Sequence, residues 1–142
     1  MNKIFKVGLI GCGHISETYF RGHDYFNNFQ IIKCADINQE NANKCAETYN
    51  IQACSVEELL KDDEIEIILN LTIPRAHYEV AKQSLEHGKH VYSEKPMAVN
   101  FNEGEELLSL SKSKGLYIGN APDTFLGGGL QKSIDLINQD KI

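Results

Sequence analysis

Short apolar runs alternate with helical patterns along the chain, and this alternation limits the folds that the chain can adopt. Six runs have the length and composition of buried strands, namely residues 4–10, 30–35, 51–54, 65–71, 90–93 and 116–121. Between them, apolar residues recur at helical spacing over roughly 10–15 residues. Strands that alternate with helices build parallel sheets covered on both faces. The sequence therefore predicts an α/β protein with a doubly wound parallel sheet.

Local signals place the predicted helices and favour one strand order. The first helical pattern runs from Ile15 to Phe26, and Ser55 and Glu58 have the spacing of a capping box. Further helices are predicted over residues 74–87, 102–114 and 127–138. Six strands favour the order 3-2-1-4-5-6, and a flavodoxin-like five-strand order is the alternative.

Length, charge and composition exclude several other classes of protein. A chain of 142 residues corresponds to one domain. The net charge of −6 predicts no general affinity for nucleic acid. No apolar run approaches the ~20 residues that span a bilayer, and the first residues lack the apolar segment of a signal peptide. We therefore expect a cytoplasmic protein without a membrane partner.

The four cysteines, Cys12, Cys34, Cys45 and Cys54, are separated by 22, 11 and 9 residues. Zinc sites usually contain more closely spaced pairs of cysteines. Without a secretion signal, free thiols in a reducing compartment are expected, and no metal. A redox role for Cys12, which comes just before a predicted helix, stays open.

A glycine-rich motif follows the first predicted strand and opens the first predicted helix. Residues 11–16 read Gly-Cys-Gly-His-Ile-Ser, a variant of the dinucleotide-binding pattern with serine at the third small position. Gly11 permits a tight turn, Gly13 lets a pyrophosphate approach the backbone, and Ser16 is small enough for close packing of the helix on the strand. The alternative is a tight turn that binds nothing.

Asp36 ends the second predicted strand, 25 residues after Gly11. In a sheet of this kind an acidic residue here accepts hydrogen bonds from the adenosine ribose. The carboxylate would repel the phosphate of NADP, and Ile37 and Asn38 supply no compensating cation. The sequence therefore favours NAD over NADP. Alternatively, Asp36 begins a turn or caps the next helix.

The tripeptide Glu94-Lys95-Pro96 follows the fifth predicted strand. Pro96 disfavours helical backbone at Lys95, so the strand cannot continue directly into a helix. Lys95 would then lie at the carboxyl edge of the sheet, where its ammonium can polarise a C–O bond during hydride transfer. The alternative is a solvated surface lysine paired with Glu94.

These motifs together resemble the N-terminal domain of the glucose–fructose oxidoreductase/inositol dehydrogenase (Gfo/Idh/MocA) family. The resemblance covers essentially the whole chain and rests on residues 7–15, 35–36, 72–77 and 88–96. The most specific segment is Gly-Lys-His-Val-Tyr-Ser-Glu-Lys-Pro at residues 88–96. Ile73 departs from the family pattern, which often has proline at this position.

The resemblance implies a Rossmann fold and a set of roles. Lys95 would lie beside the nicotinamide and the reacting oxygen, with a cis peptide bond to Pro96. The cofactor-binding residues would be Gly11, Cys12, Gly13, His14, Ile15, Asp36, Thr72, Pro74, His77, Glu94 and Lys95. His14 would act mainly through its backbone, and a packing role for His77 competes with a cofactor contact.

The resemblance also implies a domain organisation and a reaction. Residues 1–122 would form the dinucleotide-binding domain, and residues 123–142 a connecting segment toward a C-terminal α/β substrate domain that is missing here. The whole enzyme would be a homo-oligomer that transfers a hydride between NAD and a sugar, cyclitol or related polyol. This piece would bind cofactor without turnover. A stand-alone NAD-binding sensor and a methyltransferase-like domain are the alternatives.

Overall fold

Six parallel strands form one sheet in the computed structural model, which describes residues 3–22, 25–121 and 126–141. The strands are β1 (Phe5–Ile10), β2 (Phe29–Ala35), β3 (Gln52–Ala53), β4 (Ile67–Asn70), β5 (His90–Ser93) and β6 (Ile118–Asn120). Their order is β3-β2-β1-β4-β5-β6, and all five pairings are parallel. The predicted order is confirmed, and the flavodoxin-like alternative is wrong.

Six helices connect or follow these strands in the described part of the chain. They are α1 (Ser16–Gly22), α2 (Gln39–Tyr49), α3 (Val56–Lys61), α4 (Pro74–Glu86), α5 (Phe101–Lys114) and α6 (Gly128–Asn138). The capping box of Ser55 and Glu58 is confirmed, because each backbone N–H bonds to the other side chain. A second capping box, from Asn100 to Glu103, starts α5 at Phe101, one residue earlier than predicted.

The prediction that the first helix reaches Phe26 is wrong, because α1 ends at Gly22. The N–H of Tyr25 donates to the Gly22 carbonyl in a turn beyond the helix. The Phe26 ring then lies 6.3 Å from that of Phe29 at the start of β2. The helical spacing of Phe26 in the sequence therefore reflects packing of the turn against β2 and not a longer helix.

Alternate residues of β1 point to opposite faces of the sheet, and helices cover both faces. Val7 and Leu9 belong to a cluster that includes residues of α1 and α2. Ile10 belongs to a cluster that includes residues of α3 and α4. Burial of each large apolar side chain contributes about 1.5–3 kcal/mol. This two-sided core is the doubly wound architecture that the alternation of elements predicts.

The last helix, α6, exposes its apolar face. Leu130, Ile134 and Ile137 have 47%, 46% and 57% of their surface exposed. Residues 122–125, in the stretch assigned by resemblance to a link out of the domain, lie outside the described residues. The division of the chain at residue 122 stays a prediction. Within the described ranges, every helix is too short or too polar to cross a membrane.

Candidate functional site

The carboxyl ends of the central strands bring the predicted site segments to one edge of the sheet. Backbone hydrogen bonds connect their ends: Gly11 donates to Ala35 at 2.9 Å, Leu71 to Ile10 at 2.8 Å, and Glu94 to Asn70 at 2.9 Å. The glycine loop, the Asp36 loop and the segments that begin at Thr72 and Glu94 are therefore neighbours. This is the edge where open parallel sheets bind ligands.

Gly11 sits where the chain has room only for glycine. Its φ is +101°, and a Cβ built there would lie 2.6 Å from the carbonyl carbon and oxygen of Leu71. Gly13 differs, because a Cβ at that position would meet nothing within 4 Å. Ser16 is buried, and its hydroxyl donates to the Gly13 carbonyl at 2.7 Å. The loop therefore packs tightly against β4 at one glycine and opens toward solvent at the other.

The carboxylate of Asp36 holds the glycine loop. Its Oδ2 accepts the N–H of Cys12 at 2.8 Å, and its Oδ1 accepts the N–H of Asn38 at 2.8 Å. Asn38, not Asp36, is the N-cap of α2, since its side chain accepts the N–H of Glu40. Each carboxylate oxygen has further lone pairs, so the group can accept additional hydrogen bonds from a ligand.

Glu94 and Lys95 differ in how firmly they are held. The Lys95–Pro96 peptide bond is cis, as the resemblance implies. Glu94 accepts the hydroxyl of Tyr19 at 2.8 Å and the backbone N–H of Lys95 at 3.1 Å. The Lys95 side chain is exposed, and among residues 3–22, 25–121 and 126–141 its ammonium forms no ion pair. Lys95 is therefore solvated, as the alternative supposes, but within the described residues it forms no ion pair with Glu94.

His77 connects two of the site segments from inside the protein. The side chain is 1% exposed, and its Nδ1 and Nε2 lie 2.5 Å and 2.9 Å from the carbonyl oxygens of Pro96 and Thr72. Asn70 continues this network, because its amide donates to the His77 carbonyl and its oxygen accepts the Thr72 hydroxyl. The packing role that competed with a cofactor contact is thus present, and the ring positions the turn that carries Lys95.

We expect His77→Phe to lower the free energy of unfolding by about 1–3 kcal/mol, because the buried carbonyl oxygen that accepts the ring N–H loses its partner. Urea denaturation followed by circular dichroism measures the change. His87→Phe is the matched control, since the exposed His87 ring lies against the carbonyl of Gln83, one turn back in the same segment. The control should change stability by less than about 1 kcal/mol. Equal losses in both variants would contradict the positioning role.

Tyr19, Asn70 and Asn120 also support the site, and of these the sequence indicated only Asn120, which ends the sixth predicted strand. Tyr19 looked like one apolar residue of the first helical face, although its hydroxyl bonds Glu94. Asn120 donates to the carbonyls of Ser93 and Glu94 at 3.1 Å and 2.9 Å. Asn70 could have been recognised from the sequence, because it is a polar residue at the end of the apolar strand β4.

An open groove of about 940 Å³ begins at this edge and extends over one face of the sheet. Its polar end contains Thr72, His77, Glu94 and Lys95, together with Ile15 and Pro74. Apolar residues of β1, β4 and β5 continue the groove away from the loops. The volume falls within the range of roughly 300–1,000 Å³ that is usual for ligand sites.

Three of the four thiols meet beneath the glycine loop. The neighbouring Cys12 and Cys34 side chains lower the pKa of the Cys45 thiol. The pKa of Cys12 is raised by its hydrogen bonds with Cys34 and Cys45 and by burial. All four cysteines are free, as the sequence predicts. Their wide spacing in sequence hid the fact that three of them converge in the fold.

Comparison with known proteins decides the family. The family model for the Gfo/Idh/MocA oxidoreductases, whose description is an NAD-binding Rossmann fold, matches residues 5–121 of this chain. This chain belongs to the Gfo/Idh/MocA family. The fold and the family implied by the sequence motifs are therefore confirmed.

Several members of the Gfo/Idh/MocA family resemble this chain along most of its length. Glucose-6-phosphate 3-dehydrogenase of Bacillus subtilis is 32% identical over 78% of this chain and 33% of that protein. The scyllo-inositol 2-dehydrogenase (NADP(+)) IolW of the same species is 31% identical over 80% of this chain and 32% of its own length. The chain thus spans about a third of each relative.

A solved structure shows the same arrangement of elements. Biliverdin reductase from Synechocystis sp. PCC 6803, in complex with biliverdin and NADP+, is 27% identical with a TM-score of 0.85. The match covers 94% of this chain and 42% of that one. The names of these relatives include NADP and three different substrates, so the choice of cofactor and substrate must be argued from this chain's own residues.

Proposed function

We propose that this chain is the nicotinamide-dinucleotide-binding part of an oxidoreductase that acts on a hydroxyl-bearing carbon. The observation that carries the proposal is the hydrogen bond from the Cys12 amide to Asp36 at 2.8 Å. It joins the glycine loop, where a pyrophosphate would lie, to the carboxylate that would accept the ribose hydroxyls. One short contact therefore sets the spacing between the two parts of the dinucleotide site.

The residues present fit such a cofactor. The open space over Gly13 admits a pyrophosphate close to the backbone, while Gly11 keeps the loop tight against β4. The nicotinamide end would extend along the groove toward Lys95. The proposed cofactor-binding residues are Gly11, Cys12, Gly13, His14, Ile15, Asp36, Thr72, Pro74, His77, Glu94 and Lys95. His77 would contribute mainly by positioning, because it is buried.

We propose NAD as the preferred cofactor. Asp36 is partly exposed at the place where NADP would carry its additional phosphate, and the two negative charges would repel each other. Ile37 and Asn38, the next two residues, carry no positive charge. Two relatives have NADP in their names and the family description gives NAD, so the acid at position 36 carries the proposed preference.

Lys95 is the proposed catalytic residue. The bound cofactor would supply the hydride acceptor or donor. The exposed ammonium of Lys95 can donate a hydrogen bond to the substrate oxygen and stabilise the charge that develops there. Tyr19 and the buried His77 hold the turn on both sides, so the backbone that carries the lysine is fixed.

The proposed substrate is a sugar, cyclitol or related polyol. The names of two relatives, a glucose-6-phosphate 3-dehydrogenase and a scyllo-inositol 2-dehydrogenase, support this class. We infer that substrate contacts and the homo-oligomer interface lie largely in the two thirds of the relatives that this chain does not span. The chain by itself is therefore expected to bind cofactor without turnover.

Calorimetric titration of the chain with NADH and NADPH tests this function. We expect one NADH bound per chain, about fivefold or more tighter than NADPH, for roughly 1 kcal/mol of charge repulsion. S-adenosylmethionine is the control ligand and should give no binding heat. If the chain is folded by circular dichroism and neither nucleotide binds, the proposal is wrong. Binding of S-adenosylmethionine would instead support the methyltransferase-like alternative.

A further inference from the structure

Three cysteines from separate elements form a compact thiol cluster below the proposed cofactor site. Cys12 lies in the glycine loop, Cys34 in β2 and Cys45 in α2, and their sulfur atoms are all within 4.8 Å of one another. Cys34 and Cys45 are 0% and 7% exposed, and Cys12 is half-buried. We call these three residues the thiol triad.

We propose that the thiol triad binds one thiophilic d¹⁰ metal ion, such as Zn²⁺, Cd²⁺ or Cu⁺, through three thiolates. The proposal rests on the positions of the three sulfur atoms and does not depend on the proposed cofactor. Neither the family description nor the names of the relatives include a metal at this place.

The distances in the triad suit such an ion. A metal bound at about 2.3 Å to three sulfurs places those sulfurs about 3.8–4.0 Å apart. The sulfur atoms of each pair lie at most 4.8 Å apart, so they would have to approach each other by about 1 Å or less. Small rotations of the cysteine side chains about χ1, within their staggered wells, can supply such a movement.

The present partners of the thiols are weak enough to be exchanged for a metal. The Cys12 thiol donates to the Ala35 carbonyl at 3.6 Å, and the Cys34 thiol donates to the Ala42 carbonyl at 3.4 Å. Thiols are poor donors, so little stability is lost when these protons leave. A cation would also compensate the cost of burying thiolates in an apolar cluster.

The donor set and the access route narrow the class of ion. Three sulfur ligands select soft or borderline cations over Mg²⁺ and Ca²⁺, which prefer oxygen ligands. Ions can enter past Cys12, the partly exposed member of the triad. The apolar neighbours of Cys34 and Cys45, which include Val7, Leu9 and Ile31, offer no competing ligand.

Titration of the reduced chain with Cd²⁺ tests the proposal. Cadmium–thiolate bonds absorb in the ultraviolet, so absorbance reports both stoichiometry and the number of sulfur ligands. We expect saturation at one Cd²⁺ per chain, with the intensity of three thiolates, and displacement of the signal by excess Zn²⁺. Saturation with the intensity of one thiolate, or no saturable signal, would overturn the proposal.

Cysteine variants assign the ligands. Cys12→Ala and Cys45→Ala should each weaken Cd²⁺ binding by at least about 100-fold, since each removes a direct ligand. Cys54→Ala is the matched control, because the Cys54 thiol is half-buried and contacts the Cys34 backbone carbonyl at 3.8 Å without joining the triad. The control should bind Cd²⁺ as the unaltered chain does.

The variants remain informative even if one of them is unstable. Cys34 is fully buried, so it is left unaltered, and circular dichroism verifies the fold of each variant. The half-buried Cys12 is the safest position to change. If folded Cys12→Ala binds Cd²⁺ as tightly as the unaltered chain, or if Cys54→Ala loses binding equally, the triad is not the site.

Discussion

Replacing Gly11 with alanine is expected to lower the free energy of unfolding by roughly 2–6 kcal/mol. A non-glycine residue at a φ of +101° carries backbone strain of roughly 1–3 kcal/mol. The new Cβ would also lie 2.6 Å from the Leu71 carbonyl, and overpacking of this kind costs roughly another 1–3 kcal/mol. Backbone atoms of neighbouring strands cannot move aside as a flexible side chain can.

Gly13→Ala is the matched control for this prediction. Both glycines belong to the same loop, but a Cβ at Gly13 meets nothing within 4 Å. Urea denaturation should therefore give an unfolding free energy within about 0.5 kcal/mol of the unaltered chain. The same variant should weaken NADH binding, because its methyl group occupies the space proposed for the pyrophosphate. Equal destabilisation by the two substitutions would contradict this account of the loop.

Replacing Asp36 with alanine is expected to reverse or abolish the preference for NADH over NADPH. Hydrogen bonds to a charged group contribute about 1.5–3 kcal/mol, so NADH should bind about 10- to 100-fold more weakly. NADPH should bind at least as well as before, because the repulsion of its phosphate is removed. Paired calorimetric titrations of the two nucleotides measure both changes.

Two further variants separate ribose recognition from structural effects. Asp36→Asn keeps an oxygen that can accept the Cys12 amide, so it tests the charge with the loop in place. Asp63→Ala removes an equal charge at an exposed position in the turn before β4 and should leave both affinities unchanged. If Asp36→Ala leaves both affinities unchanged as well, the ribose role is wrong.

Much of the fold could be predicted because its signals are local. The alternation of apolar runs with helical patterns determines the sheet type. The capping box at Ser55 marks a helix start that the structure confirms, and α5 ends at Lys114 as predicted. The extent of the first helix was overestimated, because Phe26 continues the apolar spacing while packing on β2. The spacing of apolar residues indicates which side chains are buried, and a side chain outside the helix can be buried against a neighbouring strand.

The site was predictable where strand ends carry recognisable residues, and less so where contacts cross between elements. The roles of Asp36 and the glycine loop could be predicted from their positions in the sequence alone. The hydrogen bond from Tyr19 to Glu94 joins residues 75 positions apart, and no local pattern indicates it. The thiol triad could not be predicted for the same reason. The spacing of its cysteines in the sequence resembles no metal-binding motif, and only the fold brings the sulfur atoms together.

The most direct test of the central claim is a titration of the ¹⁵N-labelled chain with NADH, followed by amide chemical shifts. We predict that the largest changes fall on residues 11–16, Asp36, Thr72 and the Glu94–Lys95 turn. The amides of α5, which packs on the face of the sheet opposite the groove, should stay unchanged. A saturable shift confined to that pattern would support a dinucleotide at the carboxyl edge of the sheet. The largest shifts on α5, or no shifts at saturating NADH, would contradict it.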